Sequence, residues 1–166
     1  MTASLLHPPL APLSTQGRFW ALVPCAGMGL RAVPPAATPA AASADPALPK
    51  QYHLVAGHPM VMHTLAAFAG VSRLLGTLVA VAPGDHFLDA YAHPAFFTVE
   101  CGGPTRADTV LGGLRALEER GAQPDDWVLV HDAARCLVTS AQIDTLMDTC
   151  QHDGVGGLLA HKLADT

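Results

Sequence analysis

Val23-Pro24-Cys25-Ala26-Gly27-Met28-Gly29-Leu30-Arg31 sets a glycine turn directly behind an apolar run, and Leu48-Pro49-Lys50-Gln51-Tyr52 comes after a gap. Glycines leave backbone N–H groups free to face an anion, and the two segments add one Arg and one Lys. That is the equipment of phosphoryl or nucleotidyl transfer, in which positioned cations supply most of the rate as charge builds on the transferring group. Arg31 and Lys50 are therefore the candidate catalytic residues. The competing reading is a glycine-rich turn without a ligand.

Two other glycine chemistries are excluded by the residues on the far side of the loop. Gly27, Gly29 and Ala32 satisfy the loose spacing of a dinucleotide fingerprint, which requires a helix to begin at the third position. Pro34, Pro35, Pro39, Pro46 and Pro49 forbid that helix, and the one nearby acid, Asp45, lies within the proline-rich stretch. A phosphate-binding loop ending in Gly-Lys-Ser/Thr is absent as well.

Further along, Asp132 comes after the apolar run Trp127-Val128-Leu129-Val130-His131, so its carboxylate should emerge at the end of a strand. A hard oxygen ligand there suits Mg²⁺ on triphosphate oxygens, while a helix cap or an ion pair to Arg135 is the alternative. Gly102, Gly103, Arg106 and Thr109 form a second phosphate- or base-facing turn at a helix start, with a plain Gly-Gly turn as its rival. His53, His58 and His63 recur every five residues, which spreads them around a helix, and no acid cluster accompanies them. Cys25, Cys101, Cys136 and Cys150 lack both a Cys-x-x-Cys pair and finger-spaced histidines.

These groups need a frame. Half of the 166 residues are hydrophobic, enough for one domain with a real core. Apolar runs of strand length alternate with helical periods, the pattern of an α/β domain with a largely parallel sheet. Strands are expected at Phe19–Pro24, Thr77–Ala82, Phe96–Glu100, Trp127–His131 and Val155–Ala160. Helices are expected from Pro59 onward, with Val61, Met62, Leu65 and Phe68 on one stripe, and over Thr105–Arg120 and Ser140–Gln151. Residues 1–17 read as a disordered arm, residues 18–166 as the nucleotide-binding domain, and residues 33–49 as a mobile Pro/Ala loop carrying Lys50 to the phosphates. In such sheets ligands bind beyond the strands' carboxyl ends, where the three polar clusters fall. A formal net charge of -5 without basic runs argues against nucleic acid. No signal-like or bilayer-length segment is present in the sequence. The expectation is a reduced, cytoplasmic protein acting on small phosphorylated molecules, without a membrane partner.

Taken in order, Val-Pro-x-Ala-Gly-x-Gly-x-Arg, Pro-Lys-Gln-Tyr, Gly-Gly-x-x-Arg-Ala-Asp-Thr-Val and Val-His-Asp-Ala-Ala-Arg resemble the signatures of the 2-C-methyl-D-erythritol 4-phosphate cytidylyltransferase family. The resemblance runs from about Phe19 to Thr166. It implies a Rossmann-like nucleotidyltransferase fold and the reaction of CTP with methylerythritol phosphate in isoprenoid precursor synthesis, using Mg²⁺ and releasing pyrophosphate. Carried over, it gives Arg31 and Lys50 the stabilisation of the transition state at the α-phosphate. It makes Pro24, Cys25, Ala26, Gly27, Gly29, Gly103, Thr109, Ala133 and Arg135 nucleotide-binding, Asp132 and Thr166 substrate-binding, and Asp132 metal-facing. A homodimer is implied for the complete family member.

The sequence departs from the family pattern at several points. The Arg31–Lys50 loop is long, Pro104 stands where an acid often contacts the base, Cys136 replaces a proline, and His161-Lys162 precede Asp165-Thr166. The family's dimer-forming arm and late Lys are not found in these 166 residues, so weak CTP binding and little turnover are expected of residues 1–166 alone. Alternatives are a related ribitol 5-phosphate cytidylyltransferase and a CTP-binding remnant without turnover.

Overall fold

The computed structural model describes residues 17–27 and 48–160. Gly29, Arg31, Thr166, and nearly all of the expected arm and Pro/Ala loop lie outside the described residues.

The first strand shows how sequence becomes layers. In β1 (Phe19–Pro24) successive side chains alternate between two faces, and both are apolar, so the strand is buried on both sides. Phe19, Ala21 and Val23 enter one core with Val61, Leu65, Phe68, Ile143 and Met147. Trp20 and Leu22 enter a second core with Leu78, Ala80, Ala116 and Leu117. The first face is covered by α1 (Met60–Ala69) and α3 (Ser140–Cys150), the second by α2 (Arg106–Glu119).

The remaining strands are a short pair, β2 (Leu54–Val55) and β3 (His58–Pro59), then β4 (Leu74–Ala80), β5 (Phe96–Val99) and β6 (Trp127–Val130). The described residues form a four-stranded sheet ordered β5-β4-β1-β6, all pairs parallel. Parallel register brings the carboxyl ends of all four strands to one edge. The expected α/β class with helices on both faces is what is seen.

Local boundaries have identifiable causes. Thr105 and Thr139 open α2 and α3 with reciprocal capping boxes to Asp108 and Gln142, satisfying donors that the first turn leaves free. Gly121, at φ 97°, turns the chain out of α2. The expected second strand is β4, Leu74–Ala80 rather than Thr77–Ala82: across an irregularity in register between Phe19 and Ala21, its pairing with β1 reaches back to Leu74 opposite Phe19. The β2–β3 pair went unread in the sequence. It turns on Ala56 and Gly57, both at positive φ (48° and 84°), and its strands are only two residues each.

The expected fifth strand at Val155–Ala160 is overturned: the segment is irregular and β6 remains the sheet edge among the described residues. The physical cause lies just before it. Asp153 Oδ1 accepts the N–H groups of Val155 (2.7 Å) and Gly156 (3.0 Å), and Gly156 sits at φ 104°, which bends the chain away from a strand path.

Candidate functional site

The glycine loop leaves β1 under tight control. Cys25 N–H donates to Ala80 O at 2.8 Å, extending the β1–β4 ladder by one residue. The Cys25 side chain is buried, and its thiol approaches Tyr52 Oη at 3.7 Å, while Tyr52 Oη donates to Asp85 at 2.6 Å. Burial pushes the Cys25 thiol up to about 12, so it stays a neutral packing group rather than a nucleophile. Burial also raises the Tyr52 phenol, keeping it protonated as the donor to Asp85.

Lys50 and its neighbours form a 3-10 turn, Lys50–Tyr52, in which Gln51 and Tyr52 are buried and Lys50 is exposed. Gln51 Nε2 donates to Cys25 O at 2.9 Å and Gly27 O at 3.0 Å. Tyr52 stacks on Phe87 with ring centroids 3.9 Å apart. The turn is thereby docked on the glycine loop, and Lys50 is carried to the same strand edge.

The loop after β5 comes just as close. A Cβ on Gly102 would stand 2.2 Å from Ala26 Cβ and 2.7 Å from Val81 O, so only glycine lets this loop pass beneath the glycine loop. Next to it, Gly103 N–H donates to Thr109 Oγ1 at 3.1 Å, and Thr109 Oγ1 donates to Thr105 O at 3.0 Å. Thr109 is buried and shapes the turn by these bonds.

The third loop leaves β6. Asp132, about one third exposed, takes Arg106 Nε on Oδ1 and Arg135 Nε on Oδ2, each at 2.8 Å. Although partial burial pushes the Asp132 carboxyl up, the Arg135 and Arg106 guanidiniums outweigh it and hold the group below the usual carboxylate range. The ion pair to Arg135 anticipated in the sequence is therefore present, and a second one to Arg106 joins it. Ala133 is buried, its carbonyl accepting from Thr64 Oγ1 of α1 at 3.0 Å. A cleft of about 320 Å³ runs from Arg106, Asp132 and Arg135 down between β6 and α3 to Leu158 and Leu159. Its polar mouth and apolar floor are of a size that takes small ligands.

The structure thus gathers Pro24, Cys25, Ala26, Gly27, Lys50, Gly103, Thr109, Asp132, Ala133 and Arg135 on one edge of the sheet. Gln51, Thr64 and the Arg106–Asp132 pair were not anticipated. Gln51 was legible only as a polar residue beside Lys50 in Pro-Lys-Gln-Tyr, and Thr64 as a lone hydroxyl in an apolar helix stripe. His131 packs against Phe68 at 5.7 Å between ring centroids, with Nε2 3.0 Å from Arg135 O. Among the described residues no group of three or more His, Cys, Asp and Glu side chains is placed to hold a metal ion. The donor set instead fits a cation brought in on phosphate oxygens: Mg²⁺ commonly takes a single carboxylate besides its phosphates, and Asp132 keeps lone pairs beyond the two engaged by guanidinium. No helix of the described residues is long and apolar enough to cross a membrane.

Comparison with known proteins gives the same family at every level. The family model described as IspD, 2-C-methyl-D-erythritol 4-phosphate cytidylyltransferase, matches residues 19–166. The chain is 54% identical over 162 residues to the bifunctional enzyme IspD/IspF of Albidiferax ferrireducens, covering 96% of this chain and 36% of that protein. It is 44% identical over 151 residues to the 2-C-methyl-D-erythritol 4-phosphate cytidylyltransferase of Paraburkholderia phymatum, covering 90% of this chain and 59% of that one. A crystal structure of a 4-diphosphocytidyl-2C-methyl-D-erythritol synthase superposes with a TM-score of 0.73 at 33% identity, covering 92% of this chain and 63% of that one. The chain therefore spans less than two thirds of the length of each of these relatives.

Proposed function

The chain belongs to the 2-C-methyl-D-erythritol 4-phosphate cytidylyltransferase family, and on that premise we propose that its strand-edge site transfers CMP from CTP to 2-C-methyl-D-erythritol 4-phosphate. An acceptor phosphate oxygen attacks the α-phosphorus, the α–β phosphoanhydride bond breaks, and pyrophosphate leaves. The observation that carries this reading is the convergence of three strand-end loops and the Lys50 turn on one edge of a parallel sheet.

Each group then has a task. The backbone from Pro24 to Gly29, with Gly103 and Thr109, holds CTP, and Ala133 and Arg135 line the nucleotide. Lys50, together with Arg31 by its place in the glycine motif, stabilises the charge that develops on the α-phosphate oxygens. Asp132 would hold Mg²⁺ and face the acceptor, with Thr166 assigned to the sugar phosphate by its motif. A Mg²⁺ ion held there would supply charge neutralisation for the triphosphate and its pyrophosphate leaving group. Arg106 and Arg135 keep Asp132 ionised and oriented. The complete enzyme acts as a homodimer in the cytoplasm.

Phosphorus NMR of a reaction containing CTP, Mg²⁺ and methylerythritol phosphate tests the proposal. Paired diphosphate-diester and pyrophosphate signals are the expected product, and hydrolysis of CTP to CMP without a diester contradicts it.

A further inference from the structure

Gln51 lies 26 residues from Cys25 in sequence, yet its carboxamide is buried against the glycine loop. A carboxamide nitrogen carries two N–H donors, and both are used here, one on Cys25 O and one on Gly27 O. The orientation of the amide is fixed, because both partners are carbonyl oxygens and only the nitrogen end can serve them.

The bonds also dictate where the loop's own donors point. In a planar trans peptide the N–H stands opposite the C=O, so pinning Cys25 O toward Gln51 turns the Ala26 N–H to the other side. Neither Ala26 N–H nor Gly27 N–H donates to an acceptor among the described residues. Lys50 is bonded covalently to the clamping residue and is exposed next to it.

We infer that Gln51 is a positioning residue for nucleotide binding: its carboxamide draws the carbonyls of Cys25 and Gly27 to one side of the loop, presents the Ala26 amide to the triphosphate on the other, and fixes Lys50 beside it. The inference rests on the proposed use of CTP. The chemistry is specific to a double donor of this length. A Met side chain fills similar space with no donor, and an ionised Glu sets negative charge against two carbonyl oxygens and beside the incoming phosphates. A protonated Glu restores one donor.

Calorimetric titration of CTP with Mg²⁺ into the wild-type chain, Gln51→Glu and Gln51→Met, from pH 8 to pH 5 and with circular-dichroism melts alongside, tests it. At pH 8 both variants should bind CTP about tenfold or more weakly than wild type. The deficit of Gln51→Glu relative to wild type should narrow as the pH falls, and that of Gln51→Met should stay constant, a contrast that loss of packing alone does not produce. Folded variants with wild-type affinity, or equal deficits at every pH, overturn the inference. Absence of CTP binding by the wild type overturns the function reading instead. If a variant does not fold, NMR of the wild-type Gln51 carboxamide decides. Slowly exchanging protons that shift on adding CTP uphold the clamp, and freely exchanging protons unmoved by CTP overturn it.

Discussion

Lys50 is exposed while both residues after it are buried, an arrangement that uses the local packing to hold one cation free. Because charge on the α-phosphate oxygens grows only toward the transition state, Lys50→Ala is expected to lower kcat about 10²- to 10³-fold with little change in the KM for CTP. Arg31→Ala is expected to behave likewise on the strength of its motif. Steady-state kinetics at saturating CTP checks both, and unchanged turnover removes that residue from the catalytic set. Asp132 gives a pH dependence with a definite sign. Its folded-state pKa is depressed, so its contribution to stability is present above the ordinary carboxylate range and is lost as pH falls through the depressed value. Exposure of all three partners limits that contribution to about 1 kcal/mol or less. The melting difference between wild type and Asp132→Asn should therefore be constant from about pH 5 to 8 and close below about pH 4. A difference that grows on acidification contradicts the assignment. At this scale the sequence disclosed groups whose chemistry is written in their type: glycines after an apolar run, a Lys in a proline turn, an Asp at a strand end. It did not disclose Gln51 or Thr64, because a polar side chain that bonds a distant backbone carbonyl leaves no periodic trace.

The helix starts are where elements and site meet. Thr105 caps α2 while the turn it belongs to carries Gly103 and Thr109, so Thr105→Ala removes a reciprocal cap and should cost about 1 kcal/mol, measurable by chemical denaturation. No loss of stability there would mean that the cap is dispensable. Gly102→Ala tests a different link. Its Cβ has no room between Ala26 and Val81 O, so the loops after β1 and β5 must separate. A stability loss of about 1–3 kcal/mol together with weaker CTP binding is expected. Wild-type values for both would show that the two loops act independently. The strands were legible as apolar runs because β1 and β4 are buried on both faces, and α2 and α3 because capping residues precede their apolar stripes. The failure at Val155–Ala160 has the same physics in reverse: apolar composition favoured a strand, and the Asp153 turn with Gly156 overrode it.

For the molecule as a whole, a parallel sheet turns sequence-distant loops into neighbours, since every strand must end on the same edge. Fold class and the meeting of the strand-end loops on one edge were therefore readable together from the alternation of apolar runs and helical periods and from the order of the motifs. The acceptor was not, because neither composition nor motif order encodes the shape of a cleft such as the one between β6 and α3. The central claim is the transfer of CMP to methylerythritol phosphate. Its most direct test is pyrophosphate release by the intact protein, with CTP and Mg²⁺, against a panel of acceptors. Release that requires methylerythritol phosphate and falls about 10²- to 10³-fold in Lys50→Ala is the predicted result. Release driven by ribitol 5-phosphate and not by methylerythritol phosphate, or equal release by Lys50→Ala, would contradict the account.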